Sequence, residues 1–258
     1  MRRLLIWLLA AALSIAATVL VFLPAAWLGP AVEAQTGGRI TLGDAQGTIW
    51  NGSAFIGGAP SGNDPVTPLL PGRFSWTLSP LVLLGQVDAE VRNPEALSRP
   101  VSITGSWWRW QVSAAEVVLP ASRLAGLGAP LNTIQPSGTM TLGWSPLQLA
   151  RRADGGVEVQ GTTTLVMEDI SSRLSPVKPL GAYRVRIDWR GERGDLALTT
   201  IKGPMLLSGN GRLINGRLQF SGKAEAAEGQ EERLANLLNL LGQRRREGGK
   251  DVIALEFK

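Results

Sequence analysis

Hydrophobic and polar positions alternate differently in three parts of the chain. The first part is an uncharged run, Leu4–Leu23, in which Ser14 and Thr18 are the only polar side chains. Twenty residues in a helix reach roughly 30 Å, the thickness of a bilayer core. Pro24 ends the run, and Trp27 follows where an interfacial aromatic is common. Arg2 and Arg3 precede the run, and no basic residue comes after it until Arg39. This asymmetry puts the N-terminus in the cytoplasm and everything beyond Leu23 outside. Arg2, Arg3 and Trp27 are the candidate membrane-interface residues. The competing reading is a signal peptide cut at Val32-Glu33-Ala34. An h-region of about 7–15 residues is usual; this run is longer, and Pro24–Ala31 separates it from the site. The sequence therefore predicts residues 1–3 in the cytoplasm, an uncleaved transmembrane helix over 4–23 surrounded by membrane lipid, and a linker over 24–38.

The second part, 39–226, falls into short runs of period 2 separated by Gly, Pro, Asn and Asp. That period sets one face of each strand on a core and the other towards solvent. Predicted strands include Arg39–Leu42, Gly47–Ile56, Arg73–Leu78, Gln86–Arg92, Val101–Trp110, Gln111–Leu119, Gly138–Trp144, Val157–Met167, Tyr183–Trp189, Asp195–Ile201 and Arg217–Lys223. Asn215-Gly216 reads as a hairpin turn. Gly58–Gly72 reads as a Pro-rich mobile loop, and Glu168-Asp169 as a turn at a strand end. Tyr183, Val185, Ile187 and Trp189 form one face, and Arg184, Arg186, Asp188 and Arg190 the other. The latter reads as a solvated face rather than an anion-binding strip. Within Trp107-Trp108-Arg109-Trp110, strand alternation places Trp108 and Trp110 together. They belong either to a strand covered on both sides or to an exposed aromatic contact for a partner or lipid.

The third part carries a helical stripe within Glu228–Gly242: Leu234, Leu237, Leu238 and Leu241 recur at i, i+3, i+4 and i+7. Glu231 and Glu232 near its start and Arg244–Arg246 beyond its end suit the helix dipole, with Gly242 as a C-cap. The stripe either packs on the sheet or binds a partner helix. A last strand, Val252–Phe257, closes the chain. The predicted fold is mostly β: one transmembrane helix, then a β-rich periplasmic domain over 39–258 built of repeated antiparallel units, with one amphipathic helix near the C-terminus.

The repeated units rest on an internal similarity. Residues 72–83 align with 138–149 at a constant offset of 66, with Gly72/Gly138, Ser79/Ser145, Pro80/Pro146, Leu81/Leu147 and Leu83/Leu149 identical. Each copy reads as a strand, a Ser-Pro stop, a short apolar segment and a return strand, so the units span 72–92 and 138–167. The alternative is coincidence among Gly-, Ser-, Pro- and Leu-rich β sequence. A true repeat favours an extended sheet over a sandwich.

Composition narrows the chemistry. The chain holds no Cys and no His, which excludes disulfide frameworks, thiolate nucleophiles, Cys/His zinc sites and His-based general-base catalysis. Its 26 basic and 21 acidic residues give +5, too little to argue for nucleic acid. The acids are scattered, and there is no G-x-S-x-G elbow, Walker or calcium-loop pattern. No catalytic, cofactor or metal residue is assigned, and a binding, scaffolding or assembly role is expected.

The order of features resembles protein N of the bacterial type II secretion system. The resemblance runs from the basic start and single span with Leu23-Pro24-Ala25-Ala26-Trp27, through Gly47-Thr48-Ile49-Trp50-Asn51-Gly52-Ser53-Ala54 and Trp76-Thr77-Leu78-Ser79-Pro80 with Gly85. It continues through Gly203-Pro204, Gly209-x-Gly211 and Leu218-x-Phe220-x-Gly222-x-Ala224 to Leu234-x-x-Leu237-Leu238-x-x-Leu241-Gly242. It implies a non-enzymatic inner-membrane component of the machine that exports folded periplasmic proteins, with other secretion proteins of the inner membrane and periplasm as partners and no catalytic residues to carry over. Trp108, Trp110, Leu234, Leu237, Leu238 and Leu241 are the candidate partner contacts. The alternative is an anchored lipid-binding or lipid-transfer β protein of the AsmA-like type, with lipid in the β domain. A carboxylate-based envelope enzyme is the third reading.

Overall fold

The Leu- and Ala-rich N-terminal run favours helix strongly, and it forms α1 (Arg2–Val21) in a computed structural model that describes residues 2–59, 66–127, 131–214, 217–247 and 250–257. The Thr18 hydroxyl donates to the Ser14 carbonyl at 2.9 Å, so its polarity is met within the helix. Among the described residues no helix is long and apolar enough to cross a membrane; the membrane assignment of 4–23 rests on its residue pattern. The expected linker over 24–38 is instead folded. A 3-10 turn (Ala25–Trp27) leads into α2 (Leu28–Thr36), which packs against the first strand. Pro30 sits in the first turn of α2, where its missing N–H costs nothing. Gly37 ends that helix in the left-handed region, at φ 62.

The rest is strand. The elements are β1 (Ile40–Gly47), β2 (Asn51–Gly58), β3 (Thr67–Pro68), β4 (Phe74–Leu78), β5 (Gln86–Arg92), β6 (Val101–Ser106), β7 (Arg109–Val112) and β8 (Ala115–Pro120). After the short α3 (Leu131–Ile134) come β9 (Pro136–Trp144), β10 (Leu147–Arg151), β11 (Val157–Ser172), β12 (Gly181–Gly191), β13 (Arg193–Lys202), β14 (Met205–Ile214) and β15 (Arg217–Ala226). Helix α4 (Glu231–Leu241), β16 (Gln243–Glu247) and β17 (Lys250–Phe257) follow. Among the described residues, all 17 strands belong to one antiparallel sheet. Its spine runs β1–β2–β4–β5–β6–β7–β10–β11–β12–β13–β14–β15–β17–β16. β3 lies beside β2, and β8–β9 extend the β7–β10 line along β11.

Register keeps one apolar face across the sheet. Trp76 faces Val91, Ile103 faces Ala89 and Val112, and Leu149 faces Trp110 and Val159. Val185 faces Leu165 and Leu198, and Gly211 faces Phe220. The opposite face carries Asp88, Glu90, Arg109, Gln148, Arg184, Arg186 and Lys223, as period 2 requires. Where an aromatic ring lies flat on this apolar face, a glycine sits beneath it: a Cβ at Gly52 would stand 2.5 Å from Trp76 Cζ2.

The sealed core lies at one corner. α4 drops Leu234, Leu237 and Leu238 onto Tyr183, Met205, Ala224 and Ile253, with Val177 and Leu180 closing the side. The Tyr183 hydroxyl donates to the Met205 carbonyl at 3.0 Å, which allows the phenol to be fully buried.

The two segments aligned as a possible repeat take the same course with one difference. Ser79 N–H donates to the Asp88 carbonyl at 2.8 Å, and Ser145 N–H to the Thr162 carbonyl at 2.9 Å. β4 pairs with β5, and β9 with β11. Gly72 and Gly138 both take positive φ, at 67° and 118°. After the Ser-Pro stop, however, Pro80–Leu84 winds into a 3-10 helix, while Leu147–Arg151 is strand β10. Gln148 restores alternation in the second copy; Leu81-Val82-Leu83-Leu84 has none.

Four sequence readings are corrected here. The strand Val101–Trp110 is broken at Trp107-Trp108, because the Ser106 hydroxyl accepts the N–H groups of Trp108 (3.4 Å) and Arg109 (3.2 Å) and folds a tight turn. Trp108 therefore shares no strand face with Trp110. Glu168-Asp169 is a bulge within β11, not its end, with Asp169 at φ 50. Gly242 is extended (φ 173) rather than a left-handed cap. The arginines after it form edge strand β16. Residues 60–65 of the Pro-rich loop and the Asn215-Gly216 turn lie outside the described residues; β3 forms within the former loop, and Ile214 pairs with Arg217 across the latter turn.

Candidate functional site

Strand direction sorts the connections into two ends. One end gathers the β1–β2 turn (Thr48–Trp50), the 3-10 segment Pro80–Leu84, the Trp107-Trp108 turn and the β10–β11 turn (152–156). The same end receives α1. Trp50 Nε1 donates to the Leu20 carbonyl at 2.8 Å, Ile49 N–H donates to the Leu23 carbonyl at 2.9 Å, and Pro24 bridges Thr48. The Trp50 indole thus satisfies a helix-end carbonyl that would otherwise lack a partner. Trp76 Nε1 holds the same turn through the Ile49 carbonyl at 3.1 Å.

Further along this end, Leu78 N–H donates to the Trp50 carbonyl at 2.7 Å, Trp107 N–H to the Gly85 carbonyl at 3.1 Å, and Arg151 N–H to the Trp108 carbonyl at 2.8 Å. The Trp107 indole also donates to the Val82 carbonyl. α1, the 3-10 segment and the double-tryptophan turn are therefore tied in a row. Trp27 is exposed beside the helix end. The side chains of Arg2 and Arg3 lie outside the described residues.

The candidate contact residues divide. Trp108 is exposed; Trp110 is half-buried on the apolar face between Gly105 and Leu149. Leu234, Leu237 and Leu238 are buried in the core, so they reach a partner only if α4 lifts; the Leu241 side chain lies outside the described residues. Leu240, on the outer side of α4, is exposed, and sequence reasoning passed over it because it breaks the stripe.

A cleft of about 740 Å³ opens on the polar face over β6, β7, β10 and β11, lined among others by Thr104, Arg109, Gln111, Gln148, Glu158 and Gln160. Glu158 is the one carboxylate in that lining, so it offers no acid/base pair. Among the described residues no group of His, Cys, Asp and Glu is gathered to hold a metal ion. Perturbed acids are structural ones. Hydrogen bonds from Arg186 and Thr162 hold the Asp188 carboxyl low, a hydrogen bond from Arg92 does the same for Glu90, and burial pushes the Tyr183 phenol up.

No curated protein and no solved structure matches the chain. A family model described as Type II secretion system (T2SS), protein N matches residues 38–252, which takes in every strand from β1 to β16 and the start of β17. That match covers most of the chain: the chain belongs to the type II secretion system protein N family.

Proposed function

We propose that the protein is a non-enzymatic, inner-membrane-anchored component of the type II secretion system, with α1 in the bilayer and the sheet in the periplasm. Its role is to assist assembly or stability of the apparatus that exports folded proteins. The family match over 38–252 carries this reading. Two features support it. The hydrogen bonds from Trp50 and Ile49 give the sheet a fixed stance on its helix, as a scaffold requires. The last strand of the spine, β16, presents exposed Arg244 and Arg245 along an edge that pairs on one side with β17, a geometry suited to receiving an extended segment of another secretion protein. The outer face of α4 with exposed Leu240 is a further contact point.

The test is deletion with complementation. Loss of the gene is expected to lower export of a folded substrate and the yield of assembled inner-membrane complex on native gels, and the full chain to restore both. Unchanged export and assembly, together with no secretion component recovered from native membranes, would overturn the reading.

A further inference from the structure

The double-tryptophan turn and the 3-10 segment form an apolar patch that the sheet's own packing leaves outside. Leu84 is 83% exposed, Trp108 61% and Trp107 49%, and Leu81 and Leu83 are exposed beside them. Isolated exposed apolar residues are ordinary, whereas five large ones in two touching turns are not. Their position gives them a partner. The hydrogen bonds through Leu78, Gly85 and Trp107 link this patch to the turn that grips the end of α1. The 3-10 segment lies one to two strand spacings from β2 and the double-tryptophan turn three to four, so the patch extends from about 5 to 20 Å along the sheet from the helix end. Exposed Arg109 and Arg151 flank it, and Trp27 and Phe22 are exposed at the helix end itself.

We infer that this rim of the sheet rests in the outer-leaflet surface of the membrane that holds α1. Leu81, Leu83 and Leu84 would enter the acyl boundary, Trp107 and Trp108 would lie at the headgroup level, and Arg109 and Arg151 would meet lipid phosphates. Tryptophan suits that depth because its ring is apolar while its N–H is polar. The Trp107 N–H is already satisfied by the Val82 carbonyl, so that ring can enter without leaving a donor unpaired. The remaining turns lie further from the helix, and strand twist carries them away from the plane. The sheet would then stand on two feet, the helix and the patch, rather than swivel on one. This inference rests on α1 being in the bilayer, and the experiment separates the two.

The chain has no cysteine, so single cysteines take a label uniquely. The full chain carrying Leu84→Cys, Leu13→Cys or Leu174→Cys would be labelled with bimane and reconstituted in phosphatidylcholine/phosphatidylglycerol vesicles. Leu13 lies in α1, and Leu174 is exposed beyond the end of β11 remote from α1. Quenching by brominated lipid is expected to be several-fold greater at positions 84 and 13 than at 174. Adding Trp108→Ser and Leu83→Asp should return position 84 to the level of 174 while position 13 stays quenched. Quenching at 13 without quenching at 84 overturns the inference and leaves the anchor standing. No quenching at 13 removes both.

Discussion

The corner under α4 and the stretch from β1 to β10 use the same ladder and the same apolar face, yet they are stabilised differently. Under α4 a second layer closes the face, and nine buried residues from strands, loop and helix make one cluster. From β1 to β10 no comparable buried cluster forms among the described residues, and the apolar face there is largely half-buried. The lesson concerns what period 2 delivers. Alternation is enough to assign a face, but dryness needs an element of another period laid across it. Hydrogen exchange of the full chain should show this directly, with slowest exchange in β12, β14, β15 and β17 and faster exchange in β4–β7.

The comparison breaks hardest at Leu234. Leu234→Ala is expected to destabilise the full chain by about 2–5 kcal/mol, because the side chain is 0% exposed, whereas Leu84→Ala should fall within about 0.5 kcal/mol. Denaturant unfolding in detergent micelles checks both. Equal costs would mean that α4 is not what seals the core.

Next in size is Gly138→Ala. A Cβ there would stand 2.5 Å from the Glu168 carbonyl oxygen at φ +118, so the β9–β11 bulge must open at a cost of about 1–3 kcal/mol. A thermal shift confined to probes on β9 and β11 would place that cost in the second repeat copy.

Tyr183→Phe removes the hydrogen bond to the Met205 carbonyl and should cost about 1 kcal/mol. It also tests pH dependence. Burial raises the phenol's pKa in the fold, so the fold holds its proton where the unfolded chain releases it. Stability is complete below the ordinary tyrosine value of about 10 and falls as pH rises above it. Tyr183→Phe should lose that alkaline slope, as judged by unfolding midpoints between neutral and alkaline buffer.

The smallest effect is at Asp188. Its pKa is lowered by Arg186 and Thr162, so its stabilisation is present above the ordinary aspartate range and lost as pH falls through the lower folded value. Asp188→Asn should flatten the acid limb of the unfolding curve slightly, and more so at low salt.

Much of this architecture was legible from residues. The stripe of Leu234, Leu237 and Leu238 marks α4 because its period differs from that of its neighbours, and Tyr183–Trp189 marks β12 because alternation there is unbroken. The Ser-Pro stops at 79–80 and 145–146 announce where β4 and β9 end. Other parts carry their signal in places that periodicity does not reach. The turn at Trp107-Trp108 is made by one serine hydroxyl, in a sequence whose tryptophans read as strand. β16 is a run of arginines, which reads as charge beyond a helix end, and it becomes a strand only because β17 supplies a ladder. The order of α2 is written in Pro30 and Gly37, a start and a stop with little apolar stripe between them. The contact surfaces were least legible. Leu234, Leu237 and Leu238 face inward, while Leu81, Leu83 and Leu84 drew notice only as part of the repeat.

The two margins of the ladder have unlike company. β1 is flanked by α2, whereas β16, among the described residues, pairs only with β17. Copies that joined through their arginine-bearing margins would each occupy the open side of the other's β16. Self-association by that route stops at a symmetric pair and cannot run on into a fibre.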